Sequence, residues 1–227
     1  PSAVDTVLRS GLTLIILRAL APRLRALAGL GLLLLIGASG ATNAQDKAAI
    51  LVLGDSISAA YGMPIERGWV TLLDTRLRQE GQPYRTVNAS ISGETSAGGL
   101  RRLPELLRSH QPHTVIIELG GNDGLRGYPV GQLQSNLRQM ISLSEETGAA
   151  VLVLPMEIPP NFGKYYTDAF RASFREAVEG TRAELGEFPL QSVALDQELM
   201  QADGIHPTEA AQPLIMESVW QTLQSLL

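Results

Sequence analysis

Three side chains of this sequence could together catalyse acyl transfer. Ser56 lies in "GDSIS", directly after the apolar run "AAILVL", and His206 lies in "DGIHP" with Asp203 three residues before it. A serine hydroxyl becomes an effective nucleophile when a histidine removes its proton and a carboxylate orients the histidine ring. The short turn between Asp203 and His206 can bring the carboxylate to the imidazole. A simpler interpretation is structural, with Ser56 and Asp203 capping the helices that follow them.

Acyl transfer also needs hydrogen-bond donors for the negative oxygen of its tetrahedral intermediate. The candidates for this oxyanion hole are the backbone N–H groups of Ser56 and Gly93 and the side-chain amide of Asn122. Taken singly, Gly93 is better explained as an ordinary turn glycine, and Asn122 fits a turn as well as it fits a site. What favours a site is that each donor follows a different apolar run, so that all three are predicted at one edge of a sheet.

The apolar runs that precede these residues predict a parallel sheet. Longer helical patterns alternate with the runs, and this alternation is typical of an α/β fold whose sheet is covered by helices on both faces. In such folds ligands bind beyond the carboxyl ends of the strands. The predicted strands are 49–53, 84–89, 114–119, 150–154 and 190–194, and the predicted helices are 66–80, 131–147, 164–185 and a last helix from Pro207.

The first 44 residues have the order of a secretory signal. Arginines come first, then the apolar stretch 26–37, then the small residues "ASGATNA". We therefore predict a cleaved signal peptide over 1–44 and one domain over 45–227, located in the periplasm or secreted. The alternative is an uncleaved membrane anchor, but the apolar stretch is shorter than the ~20 residues of a transmembrane helix.

Composition excludes several classes of function. The chain has a net charge of −5 and no cysteine, which excludes disulfides and thiolate metal sites. An acidic chain without a basic block repels phosphate backbones, so no nucleic-acid partner is expected. His110 and His113 precede the third strand, at the opposite edge from the candidate site, and no carboxylate lies near them in sequence. No metal or other cofactor is predicted.

Four blocks of the sequence resemble the SGNH hydrolases, also called the GDSL family. They are "GDSIS" with Ser56, "NASISGETS" with Gly93, "GGND" with Asn122 and "DGIHP" with His206. "GDS" alone is weak evidence, but four blocks in the same order over most of 50–207 are specific. The one departure is Ile57, where the family motif has leucine, a conservative change between two aliphatic side chains.

The resemblance implies a fold, an activity and a set of roles. It implies a flavodoxin-like three-layer α/β/α sandwich with a five-stranded parallel sheet, and hydrolysis of acyl esters and thioesters, including aryl esters, acyl-CoA and lysophospholipids, without a cofactor. Apart from the resemblance, we expect a monomer that acts on small-molecule substrates and is not stably inserted in a membrane. Ser56, Asp203 and His206 would form the catalytic triad. The N–H groups of Ser56 and Gly93 and the Asn122 amide would form the oxyanion hole.

Two loops are the predicted walls of an acyl-binding groove. Tyr128 lies in 124–130, while Ile158 and Phe162 lie in 156–166. These three side chains could line an apolar groove, or they could simply anchor their loops. Arg126 could contact an anionic head group or be solvated.

Other functions predict different sequence features. An α/β-hydrolase usually shows G-x-S-x-G around its serine, which residues 54–58 do not match. An aspartyl phosphatase using Asp55 would need a second aspartate where Ile57 stands. Two alternatives keep the same scaffold, namely a carbohydrate deacetylase with a polar groove and a non-catalytic export-side binding protein.

Overall fold

A computed structural model describes residues 47–227 of the chain. The predicted signal peptide, 1–44, lies outside the described residues. Within 47–227, five strands form one sheet in the order β2-β1-β3-β4-β5, and every neighbouring pair is parallel. The strands are β1 (Ala48–Gly54), β2 (Tyr84–Asn88), β3 (Thr114–Glu118), β4 (Ala150–Val153) and β5 (Glu184–Leu185).

The helices form two groups that cover the sheet. Helix α1 packs against α6, whereas α4 packs against both α2 and α5. The strand order and the two helical layers are those of a flavodoxin-like α/β/α sandwich, which confirms the predicted fold class. The helices are α1 (Trp69–Gln79), α2 (Ser96–His110), α3 (Gly121–Leu125), α4 (Val130–Glu146), α5 (Lys164–Val178) and α6 (Gln212–Leu223).

The centre of the sheet is built from continuous apolar runs. All five residues of β3 are buried, and every residue of β1 after Ala48 is buried too. Strands with helices on both faces need such runs rather than alternating patterns. The chain passes from β1 to β2 on one side of β1 and then to β3 on the other. The carboxyl ends of β1 and β3 therefore flank the crevice where ligands bind in this architecture.

The fifth strand is not where the apolar pattern predicted it. Strand β5 is the two-residue segment Glu184–Leu185, which pairs with β4 at the edge of the sheet. The predicted segment 190–194 instead forms turns, with the N–H of Val193 bonded to the carbonyl of Leu190. Both of these side chains are buried. These two apolar residues are buried although they lie in turns, and the prediction assigned this apolar pattern to a strand.

Two predicted helix boundaries also need correction. Helix α5 ends at Val178 rather than near 185, because Gly180 takes a left-handed backbone with φ +74°. The last helix begins at Gln212 rather than near Pro207. Pro207 instead forms an antiparallel bridge with Met200, and this bridge holds the segment that carries His206.

No helix within 47–227 combines the length and the apolar character needed to cross a lipid bilayer.

Candidate active site

Ser56 lies at the carboxyl end of β1. The N–H of Ala59 bonds to the carbonyl of Asp55 at 2.9 Å, and the N–H of Tyr61 bonds to the carbonyl of Ser56 at 3.0 Å. Residues 56–62 therefore form consecutive turns, so Ser56 does not cap a regular helix as the structural interpretation required. These turns place Ser56 just beyond the buried strand, where its side chain is partly exposed at the edge of the sheet.

A compact turn brings Asp203 to His206. Gly204 adopts φ +67°, and one carboxylate oxygen of Asp203 accepts the backbone N–H groups of Ile205 at 2.9 Å and His206 at 3.0 Å. The other oxygen lies 2.6 Å from Nδ1 of His206. The hydrogen bond from the His206 backbone, followed by that from its imidazole, lowers the pKa of Asp203 to about 2. The carboxylate is therefore ionised at neutral pH and stabilises a proton on Nδ1.

The other ring nitrogen of His206 reaches the serine. Nε2 lies 2.9 Å from Oγ of Ser56, across 150 residues of sequence. With the proton of the neutral ring on Nδ1, Nε2 is free to accept the serine hydroxyl proton. The structure thus places the His206 ring between Ser56 and Asp203, so that the imidazole can act as a general base and the carboxylate can stabilise its positive charge.

Gln201, which sequence reasoning missed, ties the two halves of this arrangement together. Its Nε2 donates to the carbonyls of Tyr61 at 2.8 Å and Pro207 at 3.0 Å. Its backbone N–H donates to the carbonyl of His206 at 2.7 Å. Gln201 therefore links the serine loop to the histidine loop. No local pattern could reveal it, since its partner Tyr61 is 140 residues away in sequence.

The predicted oxyanion donors lie at the same edge of the sheet, on the three segments that follow β1, β2 and β3. Gly93 has φ +78°, a backbone conformation that suits glycine. Asn122 is the second residue of α3 and follows Gly120, whose φ is +120°. The side-chain amide of Asn122 donates one N–H to a carboxylate oxygen of Asp55 at 3.0 Å. Since an amide nitrogen carries two N–H groups, the second can serve a ligand.

Beneath these segments lies a buried pair of carboxyl groups that sequence reasoning did not assign a role. Glu118, at the end of β3, is fully buried, and one of its oxygens accepts the hydroxyl of Ser58 at 2.6 Å and the N–H of Asp55 at 3.2 Å. The Asp55 oxygen that does not bind Asn122 accepts the N–H of Ile57 at 3.0 Å. Gly54 makes room for the pair, since a Cβ there would lie 2.6 Å from the Glu118 carboxyl.

Burial makes both carboxyl groups weaker acids. It raises the pKa of Asp55 to about 6, although the N–H of Ile57 and the nearby His206 act in the opposite direction. Burial and the adjacent Asp55 charge hold the pKa of Glu118 well above its usual range. The pair is therefore protonated at pH values where the same groups are ionised in the unfolded chain. The signal for Glu118 in the sequence was a lone acid in the apolar run 114–119.

We expect stability to depend on pH through this pair. Above about pH 4.5 the folded chain holds more protons on it than the unfolded chain, so the free energy of unfolding falls as pH rises, by up to about 1.4 kcal/mol per pH unit for one proton. Glu118→Gln removes one titrating group while keeping an oxygen acceptor, and should make this decline shallower. Urea unfolding at pH 5, 6, 7 and 8 measures it. Parallel declines in the variant and the wild type would contradict the assignment, and the exposed Glu66→Gln serves as the control.

The predicted groove residues differ in their surroundings. Tyr128 is 44 % exposed, and its carbonyl accepts the Tyr166 hydroxyl at 2.7 Å. Phe162 is half-buried and its ring lies 6.2 Å from that of Tyr166. Ile158 is only 7 % exposed and packs against Gly124, so it presents little surface to a ligand. Arg126 donates to the carbonyl of Gly93 at 3.0 Å.

The two histidines outside the candidate site lie at the opposite edge of the sheet. His113 is exposed just before β3, and His110 ends α2, so both lie at the amino-terminal edge of the sheet. Among residues 47–227 there is no group of three or more histidine, aspartate or glutamate side chains arranged to hold a metal ion.

Known proteins similar to this chain are ester hydrolases. The sequence model of the GDSL-like lipase/acylhydrolase family matches residues 52–213. Esterase TesA of Pseudomonas aeruginosa is 53 % identical over 178 residues, which cover 78 % of this chain and 89 % of the relative. The arylesterase of Vibrio mimicus is 46 % identical over 86 % of this chain and 96 % of its own length. Thioesterase 1/protease 1/lysophospholipase L1 of Escherichia coli K12 is 41 % identical over 78 % of this chain and 84 % of its own.

A solved structure agrees with these matches. The crystal structure of the psychrotrophic esterase EstA from a Pseudoalteromonas species, inhibited by monoethylphosphonate, superposes with a TM-score of 0.76. It is 44 % identical and covers 78 % of this chain and 97 % of that chain.

Proposed function

The chain belongs to the GDSL-like lipase/acylhydrolase family, and from that premise we propose that it hydrolyses acyl esters and thioesters through a Ser56–His206–Asp203 triad and an acyl-enzyme intermediate. One observation carries the proposal. His206 lies between the other two side chains, with Nε2 2.9 Å from the serine oxygen and Nδ1 2.6 Å from the aspartate. Both distances are those of hydrogen bonds, so the general base is in position before substrate binds.

Acylation is the first half of the proposed reaction. His206 removes the proton of Ser56 as the serine oxygen forms a bond with the acyl carbon. The carbonyl π electrons move to the oxygen, and the resulting oxyanion is stabilised by the N–H groups of Ser56 and Gly93 and by the Asn122 amide. When the carbonyl re-forms, the bond to the leaving group breaks, and His206 transfers its proton to the leaving alcohol or thiol. Asp203 remains ionised and stabilises the imidazolium throughout.

Deacylation repeats these steps with water. His206 removes a proton from a water molecule, which attacks the acyl-enzyme carbonyl, and the same donors stabilise the second oxyanion. Ser56 then leaves with the proton that His206 returns to it. The acid is released and the free enzyme is regenerated, so the same imidazole serves both halves of the reaction.

Asn122→Ala should lower kcat with little effect on KM. The amide stabilises the oxyanion, which exists only after attack, so its loss should cost on the order of 10²–10³ in kcat. Steady-state hydrolysis of a p-nitrophenyl ester measures both constants. Gln139→Ala, which removes an exposed side-chain amide on α4, is a control that should leave both unchanged. An unchanged kcat in Asn122→Ala would mean that another group supplies the donor.

The proposed substrates are small-molecule esters and thioesters with medium or long acyl groups. Relatives named esterase, arylesterase and thioesterase/lysophospholipase support aryl esters, acyl-CoA and lysophospholipids as candidate classes. Tyr128 and Phe162 are the side chains of the predicted groove that are accessible to an acyl chain, and Ile158 would support it from below. We further propose a monomer that acts in the periplasm or outside the cell after removal of 1–44, with no nucleic-acid partner and no stable membrane insertion.

A fluorophosphonate probe tests the proposed activity directly. The phosphonylated enzyme mimics the tetrahedral intermediate, so the wild type should react in a single site and lose its esterase activity. Ser56→Ala should not be labelled, whereas Ser92→Ala, which alters an exposed serine beside Gly93, should be labelled like the wild type. A wild type that is neither labelled nor active on p-nitrophenyl esters would instead indicate a binding protein.

A further inference from the structure

We propose that Tyr61 and Ile205 form a binding subsite for the leaving group of aryl esters. The inference rests on the proposed function, because it places the leaving group beside the histidine that protonates it. It assigns a substrate class to a surface that the catalytic steps themselves do not use.

Two exposed apolar side chains border His206 from different parts of the chain. The ring of Tyr61 lies against the imidazole, with the ring centroids 4.3 Å apart and the planes tilted by 35°. Ile205 directly precedes His206. Tyr61 is 49 % exposed and Ile205 is 45 % exposed, so both side chains present apolar surface to a group bound beside His206.

The backbone that carries Tyr61 is held in a specific conformation. Ala60 takes φ +56°, a left-handed conformation that non-glycine residues rarely adopt and that is concentrated at functional sites. The side chain of Ala60 is buried. Gly68 packs so closely against it that a Cβ on residue 68 would lie 2.8 Å from the Ala60 Cβ. The carbonyl of Tyr61 accepts the Gln201 amide at 2.8 Å. The exposed ring of Tyr61 is therefore presented by a rigid support.

The chemistry of acylation determines what meets this surface. The oxygen of the leaving group must receive its proton from Nε2 of His206, so the group departs on the imidazole side of the serine. An aryl ring is bonded directly to that oxygen and must therefore lie beside the imidazole, where Tyr61 lies. Aromatic rings in offset or tilted contact attract each other beyond simple area burial. A short alkyl leaving group extends too little to make the same contact.

The timing of the reaction separates this role from a purely structural one. The leaving group is gone before water attacks, so a leaving-group subsite acts in acylation only. A residue that merely held His206 in place would affect acylation and deacylation alike, since the imidazole serves both. Esters that share one acyl group form the same acyl-enzyme, so their deacylation rate provides an internal reference.

The experiment compares phenyl acetate with ethyl acetate, and uses the p-nitrophenyl acetate burst to obtain the deacylation rate constant. Tyr61→Ala should lower kcat/KM for phenyl acetate about tenfold, while leaving kcat/KM for ethyl acetate and the deacylation rate within about twofold. Ile205→Ala should show the same selectivity with a smaller effect, about threefold. Tyr61→Phe should behave like the wild type. Leu195→Ala, which removes a 97 % exposed apolar side chain outside the two predicted groove loops, is the control.

Two results would overturn the proposal. Equal losses for phenyl acetate, ethyl acetate and deacylation in Tyr61→Ala would make Tyr61 a support for His206 only. Unchanged kcat/KM for phenyl acetate in both Tyr61→Ala and Ile205→Ala would remove the subsite. Ile205→Ala keeps the test valid if Tyr61→Ala does not fold. Failure of the proposed function is distinguishable, because it would appear in the wild type as the absence of both the burst and fluorophosphonate labelling.

Discussion

His206→Ala is expected to lower kcat by about 10⁶ for every ester tested. The imidazole takes the proton of Ser56, returns it to the leaving group, and then activates water, so its loss removes proton transfer from both halves of the reaction. Residual catalysis should come from the oxyanion donors and substrate binding alone. Hydrolysis of p-nitrophenyl butyrate under saturating conditions, with the protein shown to be folded by circular dichroism, measures the loss.

Controls separate catalysis from a general effect of removing a histidine. His113→Ala removes an exposed histidine at the opposite edge of the sheet and should keep full activity. The double variant Ser56→Ala, His206→Ala should be no slower than either single variant, because groups that act as one unit are strongly non-additive. More than about one hundredth of wild-type kcat in His206→Ala would show that another base operates.

The sequence was most informative where chemistry and local geometry coincide. "GDSIS" follows a buried strand, so the position of Ser56 at the edge of the sheet could be predicted. "DGIHP" closes its own turn, so the contact between Asp203 and His206 could be predicted from their spacing. The parallel sheet could be predicted as well, because strands buried on both faces need continuous apolar runs such as those of β1 and β3.

Long-range contacts were beyond the reach of sequence patterns. Glu118 looked like part of an apolar strand, and its bonds to Ser58 and Asp55 join segments about 60 residues apart in sequence. Strand β5 has two residues and pairs on one side only, which is too short to leave a periodic signal. Leu190 and Val193 pack into the core from turns. Hydrophobicity alone does not distinguish such a buried turn from a buried strand.

The buried carboxyl pair connects the fold to the oxyanion donor. Glu118 binds the backbone of Asp55 from below, and Asp55 binds the side-chain amide of Asn122 at 3.0 Å. Asn122 lies on α3, which follows β3, whereas Asp55 lies at the end of β1. The hydrogen bonds thus join the carboxyl ends of the two strands that flank the crevice. The two buried acids destabilise the folded state at high pH. Their hydrogen bonds also orient the Asn122 amide before substrate binds.

Asp203→Asn is expected to reduce kcat by about 10⁴. The carboxylate accepts from Nδ1 of His206 at 2.6 Å and so keeps Nε2 available for the serine proton. An amide nitrogen facing Nδ1 would donate instead, which favours a proton on Nε2 and removes the base. An amide also cannot stabilise the imidazolium that forms during attack.

The same substitution should change stability far less than activity. The lowered pKa of Asp203, about 2, means that its ionised form favours folding above about pH 4. This contribution is lost as pH falls from about 4 towards 2, and it is small because the side chain is 39 % exposed. Asp196→Asn is a matched control, since its carboxylate also accepts a backbone N–H two residues on, at 2.9 Å, with no histidine in the turn.

Acylation rates and urea unfolding, measured on both variants at pH 7, separate the two effects. Asp196→Asn should match the wild type in acylation rate, and Asp203→Asn should be slow but nearly as stable. Wild-type acylation in Asp203→Asn would remove Asp203 from the triad, and a large loss of stability without a larger loss of rate would assign it a structural role. Asp203 contacts His206 within one turn while Ser56 lies 150 residues away, so local geometry positions the carboxylate on the base and the tertiary fold positions the base beside the serine.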